Sequence, residues 1–133
     1  MLIGLAAVLG LSACGSTATK PSPSGPHASL HVQHVLDSSA GVYIEGSIWH
    51  LRVMGSAGDP VLDSDLKDDR VSLQIAPGRY RLESYERQCD GNCGILSPPS
   101  DDCTGTVTAQ AQATVTVRVT LKPGKGCTIR IRE

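Results

Sequence analysis

Strict alternation of apolar and polar positions organises the C-terminal two thirds of the chain. In "VTVRVTL" (residues 115–121), Val115, Val117, Val119 and Leu121 fall on one side of an extended backbone, and Thr116, Arg118 and Thr120 on the other. A period of two built from β-branched residues predicts a strand with one buried face. "PGKG" reads as a turn, and "CTIRIRE" resumes the alternation with Ile129 and Ile131 inward, so residues 115–133 predict a terminal hairpin. Upstream, "RVSLQI" (70–75) aligns Val71, Leu73 and Ile75, and "RYRLESYER" (79–87) carries Tyr80 and Leu82 inward. "SIWHLRVM" (47–54) sets Trp49, Leu51 and Val53 against Ile48 and His50. "LHVQHVL" (30–36) and "TGTVTAQ" (104–110) are weaker strands, and residues 55–69 read mostly as loop. About seven short strands with no helical period favour an all-β antiparallel sandwich over residues 30–133.

The N-terminal pattern differs. "MLIGLAAVLGLSAC" is apolar from Leu2 to Leu11 and then turns to small residues. It is shorter than the roughly 20 residues of a membrane-spanning helix and has the length of a signal-peptide core. Leu11-Ser12-Ala13-Cys14 resembles a bacterial lipobox. That resemblance implies removal of residues 1–13, a diacylglyceryl group on the Cys14 thiol, N-terminal acylation such as palmitate, and an extracytoplasmic protein anchored to the cell membrane. The first basic residue is Lys20, beyond Cys14, whereas lipoprotein leaders open with Lys or Arg. The alternative is a buried helix with an incidental Cys14. The Ser, Thr, Pro and Gly of residues 15–29 speak against it, because such a segment buries too little to offset its ordering entropy and predicts a disordered tether.

Composition sharpens the picture in two ways. Within 133 residues there is room for one domain, and with no Phe, one Trp and three Tyr its core must be aliphatic. Such a thin core calls for covalent reinforcement. A formal net charge of −1 offers no overall electrostatic attraction to nucleic acid or to an anionic surface.

Reinforcement is at hand in Cys89, Cys93, Cys103 and Cys127. In an exported chain these are expected as disulfides. Cys89 and Cys93 are separated by three residues, unlike the C-x-x-C of thiol-redox sites, and no helix follows to lower a thiol pKa. Four cysteines allow three pairings. Cys89 closes one predicted strand and Cys103 opens the next, which slightly favours Cys89–Cys103 with Cys93–Cys127, a loop closure of about 3 kcal/mol. The rival is Cys89–Cys93 with Cys103–Cys127.

The stretch "VSLQIAPGRYRLESY" (71–85) carries a further resemblance. An alternating strand followed by Pro-Gly-x-Tyr-x-Leu is similar to carboxypeptidase-regulatory-like domains, the transthyretin-type (prealbumin-like) sandwiches. Pro77-Gly78 would form a type II turn, and the resemblance implies a seven-stranded Greek-key fold used as a non-catalytic accessory or adhesion module. The chain as a whole also resembles small Gly/Ala/Thr-rich lipoproteins of actinobacteria.

Candidate chemistry is sparse. His27, His31, His34 and His50 lack the convergence a zinc site needs, since His31 and His34 point to opposite faces of a strand, and are expected at the surface. "DSDLKDD" (63–69) lacks the central Gly and closing Glu of an EF-hand loop and reads as a solvated acidic loop. The Asp-Gly-Asn of residues 90–92 is ordinary turn chemistry. No nucleophile elbow, His-Glu-x-x-His or P-loop occurs, so no enzyme and no cofactor are expected. Among the aromatics, Trp49 and Tyr80 read as core, Tyr43 is open, and Tyr85 is the one nominee for a contact residue. The expected role is a lipid-anchored binding or interaction module at the cell envelope, with a protein or glycan partner and no nucleic acid. The alternatives are a structural envelope component and, behind it, a metal or thiol-redox protein.

Overall fold

The computed structural model describes residues 25–40, 46–89 and 91–132. The leader, Cys14 and most of the tether lie outside the described residues, as does Tyr43. Two four-stranded sheets pack face to face. The strands are β1 (Ala28–Leu36), β2 (Gly46–Gly55), β3 (Pro60–Leu66), β4 (Arg70–Ile75), β5 (Gly78–Cys89), β6 (Ser100–Ala109), β7 (Thr114–Lys122) and β8 (Gly126–Arg132). The first sheet runs β4-β1-β7-β8 and the second β3-β2-β5-β6. All neighbours are antiparallel except β1 and β7, which run parallel. No helix of the described residues is long and apolar enough to cross a membrane.

The all-β sandwich is therefore as expected, with eight strands among the described residues in place of about seven. The additional one is β3, expected as loop. Its inward positions Leu62, Ser64 and Leu66 do alternate with Val61, Asp63 and Asp65, but a Pro start, the inward Ser64 and the outward Val61 disguise the period. Pro60 is tolerated as the first residue of an edge strand. At the other boundary, β1 begins at Ala28, fully buried and two residues inside the segment expected to be tether.

Between the sheets lie Ala28, Leu30 and Val32 of β1, Leu51 and Val53 of β2, Leu82 of β5, Val107 and Ala109 of β6, and Val115, Val117 and Val119 of β7. Tyr80 is the single aromatic member, and its hydroxyl donates to the carbonyl of Ala76 at 2.6 Å. That bond braces the crossing from β4 in the first sheet to β5 in the second. The crossing is not the type II turn expected at Pro77-Gly78: Gly78 has φ 159°, far from the about +80° such a turn requires. A chain changing sheets stays extended here instead of folding back on its neighbour.

Cys103 bonds to Cys127, and Cys89 to Cys93, with Cα separations of 5.4 Å and 4.8 Å. The slightly favoured alternative is thus overturned. In the β5–β6 register Cys103 stands opposite Ser84, so Cys89 lies five residues further along β5, about 16 Å away. That exceeds any disulfide span. An extra residue in β6 shifts the register between Ser84 and Glu86, and Asp101 there takes φ 51°. Its carboxylate then accepts from the backbone N–H groups of Gly124 (3.1 Å) and Gly126 (2.7 Å), pinning the β7–β8 turn.

Cys103–Cys127 joins β6 to β8, the edges of opposite sheets. Beside it the Gly105 backbone meets Ile129 so closely that an added Cβ would lie 3.1 Å from the Ile129 Cγ2. Gly46 likewise leaves space for the Cys89–Cys93 bridge, whose Cys89 Sγ would sit 3.1 Å from a Cβ.

Two predictions follow from this packing. Val117 is fully buried between Val32 and Ile131 in the sheet register, so Val117→Asp eliminates the cooperative urea transition, whereas Arg118→Asp on the exposed face shifts stability by about 0.5 kcal/mol or less. Non-reducing peptide mapping recovers Cys89–Cys93 and Cys103–Cys127 as linked pairs. Replacing Cys103 and Cys127 by Ser costs about 3 kcal/mol by loop entropy, and replacing Cys89 and Cys93 about 2 kcal/mol.

Candidate functional site

The outer face of the second sheet carries a connected array of polar and aromatic side chains. Alternation along β2 sends Leu51 and Val53 inward and therefore His50 and Arg52 outward. Register then places His50 opposite Asp65 on β3 and opposite Tyr85 on β5. The imidazole stacks on the Tyr85 ring with centroids 4.5 Å apart and planes 8° from parallel. Its Nε2 lies 2.7 Å from Asp63 Oδ1 and its Nδ1 2.8 Å from Asp65 Oδ1. Donating to both carboxylates at once requires a proton on each ring nitrogen. Asp63 also accepts from Arg52 Nε at 3.0 Å, and Arg52 and Arg81 both reach Glu83. The hydrogen bond from His50, followed by the Arg52 contact, holds the Asp63 carboxyl below its ordinary pKa.

The carboxylates of Asp63 and Asp65 are about a third to a half exposed, so these contacts contribute little stability. Their effect is geometric: both edges of the His50 ring are held, so the Tyr85–His50 pair forms a fixed plate. Tyr85 is half-buried on the outer face, where sequence alternation places it. Trp49 and Tyr80 do not join it. Trp49 lies inward, its ring 4.6 Å from that of His34, and Tyr80 belongs to the core.

A second polar group lies between the sheets. His34 continues the inward face of β1, and Ser84 and Glu86 continue that of β5, each 3% exposed or less. His34 is therefore not the surface histidine expected, whereas His50 lies on the outer face, packed down to 12% side-chain exposure by its neighbours. His31 does point outward, to Ser72 Oγ at 2.7 Å. Ser84 Oγ donates to the His50 carbonyl and lies 3.1 Å from His34 Nε2. With the hydroxyl proton already committed, Nε2 must be the donor and Ser84 the acceptor. That direction is the reverse of a base activating a serine. His34 Nδ1 and both Glu86 carboxylate oxygens have no hydrogen-bond partner of good geometry, although the Ser47 side chain lies near enough to Glu86 to favour its charged form. Burial, opposed by Asp69, lowers the His34 pKa from 6.5 to about 4. Burial raises that of Glu86, with Asp101 adding to the effect and Ser47 opposing it.

The acidic loop expected over 63–69 is half strand: Asp63 and Asp65 sit on β3 facing His50, an arrangement hidden from the sequence because their partner is on another strand. Asn92 turns its side-chain oxygen onto the Gly94 N–H, and Asp90 lies outside the described residues. Among the described residues no group of His, Cys, Asp and Glu is arranged to hold a metal ion.

Comparison of the chain with protein-family models, with curated proteins and with solved structures returns no match.

His34 makes stability pH-dependent with a definite sign. Its folded-state pKa is depressed, so the unfolded chain takes a proton near pH 6.5 that the folded chain accepts only near pH 4. Stability falls as pH drops through that window, by about 3 kcal/mol in full. Glu86 acts in the opposite sense, since its raised value costs stability as pH climbs above 4.5. Urea midpoints recorded from pH 7 to pH 4 should decline more steeply for the native protein than for His34→Gln.

Proposed function

We propose that the protein is a lipid-anchored, extracytoplasmic β-sandwich that works as a non-catalytic binding or interaction module at the cell envelope. The lipobox Leu11-Ser12-Ala13-Cys14 and the polar segment after it support the anchor. Two bonded cysteine pairs are compatible with an oxidising compartment and leave those four residues without a thiol for redox chemistry or metal binding. For the kinship with transthyretin-type, carboxypeptidase-regulatory-like domains, the support is a sandwich in which Tyr80 and Leu82, after Pro77-Gly78, enter the core.

The observation that carries the binding role is the Tyr85–His50 plate, held by Asp63 and Asp65 on an open sheet face. The half-buried Tyr85 ring, backed by the stacked imidazole and bordered by the Asp63 and Asp65 carboxylates, suits contact with a sugar ring or an aromatic side chain of a protein partner. Because the plate is already immobilised, binding there loses little side-chain entropy. A structural envelope protein without a specific ligand would not need that immobilisation.

Crosslinking in intact envelopes, followed by recovery of the protein, should yield one recurrent partner that Tyr85→Ala loses. An identical crosslinking profile for Tyr85→Ala contradicts the contact face. The anchor is tested separately: Cys14→Ala should move the protein from the membrane fraction to the medium or leave it unprocessed. A mature N-terminus elsewhere than Cys14, without acyl mass, overturns it.

A further inference from the structure

The near-neutral net charge conceals a sharp division between the two sheets. No Asp or Glu occurs in β1, β4, β7 or β8. Register brings Arg70, Gln33, Arg118 and Arg130 into one row straight across the first sheet. Arg132 stands in the adjacent row, with Thr116, His31 and Ser72. The four arginines are exposed, and none makes an ion pair within the described residues. On the second sheet, by contrast, Arg52 and Arg81 are paired with carboxylates and Arg87 donates to the Ser97 carbonyl, while Arg79 makes no ion pair among the described residues.

Neighbouring strands are about 4.8 Å apart, so the row spans about 14 Å. Two shallow recesses flank its centre and share Gln33 and Thr116 in their walls. One, about 220 Å³, is bordered by Arg118, Arg130 and Arg132; the other, about 340 Å³, by Arg70, His31 and Ser72. Guanidinium groups beside hydroxyl and amide donors form a donor-rich surface suited to phosphate oxygens. Four like charges held on one flat face repel one another, and an anion shared among them relieves that repulsion.

The geometry points to this face as a docking surface for anionic phospholipid headgroups of the membrane that carries the anchor. The choice of occupant rests on the anchored reading of Cys14. Residues 15–27 separate Cys14 from β1, and even fully extended they reach about 45 Å, so the domain cannot leave the vicinity of the lipid surface. β1 itself lies in the arginine sheet, next to the row's centre. A tethered face meets the membrane at high effective concentration, so individually weak contacts suffice. Docked through the first sheet, the domain turns the Tyr85–His50 plate of the second away from the membrane.

The test uses the full chain carrying Cys14→Ser, so that no acyl group contributes and the outcome is independent of whether Cys14 is lipidated. Sedimentation with vesicles of phosphatidylcholine alone is compared with equimolar phosphatidylcholine and phosphatidylglycerol. Partitioning onto the anionic vesicles should be on the order of tenfold stronger or more, and should weaken steeply with added salt. Arg118→Glu with Arg130→Glu should remove the preference, and Arg118→Gln with Arg130→Gln should reduce it, each with an unchanged urea transition to show an intact fold. Equal partitioning onto both vesicles overturns the inference, as does full retention by the folded charge-reversed protein. Tighter binding of linear polyphosphate than of vesicles at matched phosphate overturns the membrane as occupant.

Discussion

The Cys103–Cys127 bond holds together the two layers on which everything else in this molecule depends. Its cysteines lie on β6 and β8, edge strands of opposite sheets. With no Phe and an interior almost wholly of Val, Leu, Ile and Ala, each side chain brings modest apolar area to the core. A covalent tie therefore matters more than in an aromatic-rich sandwich. Around that tie the chain is arranged for close approach. Gly105 gives Ile129 a bare backbone to lie against, and Asp101, at a register shift, holds the turn that leads to Cys127.

The interior is apolar through most of its length and polar at one end. The same alternation that buries Leu30 and Val32 buries His34, and the same face of β5 that carries Leu82 carries Ser84 and Glu86. Orphaned buried polar atoms cost stability, so this end is the weaker part of the core. His34 and Glu86 respond to pH with opposite signs, which flattens their combined effect.

Outside the core, the two sheets present different chemistry. The second sheet gathers acids that pair with Arg52 and Arg81 and clamp His50 against Tyr85. The strands of the first sheet carry four arginines and no acid, and Lys122 alone is paired, with Asp37 just beyond β1. A protein with opposed faces of this kind has an inherent orientation in an electric field or at a charged surface. Under the anchored reading, that asymmetry divides the labour: one face toward lipid, the other toward a partner.

Seven of the strands are legible in the chain because one-sided burial imposes period two on the residues themselves, as in Val115, Val117, Val119 and Leu121. The same alternation put Tyr85 on the outer face and separated His31 from His34. It could not reveal β3, whose period is blurred by an inward Ser64 and an outward Val61, and it could not show that Asp63 and Asp65 face His50, a partner remote in sequence. Cysteine pairing was likewise undecidable from spacing: Cys103 finds Cys127 only after two sheets close on each other, and a register shift sets Cys89 apart. The arginine row is the clearest case. Arg70, Arg118 and Arg130 are scattered over sixty residues with balanced charge around them. Alternation told which way each side chain points, but only the pairing of β4, β1, β7 and β8 told which of them stand side by side. Local pattern determines the facing of a residue because it depends on the backbone's own geometry; neighbours across a sheet depend on register, which is decided where the whole core packs.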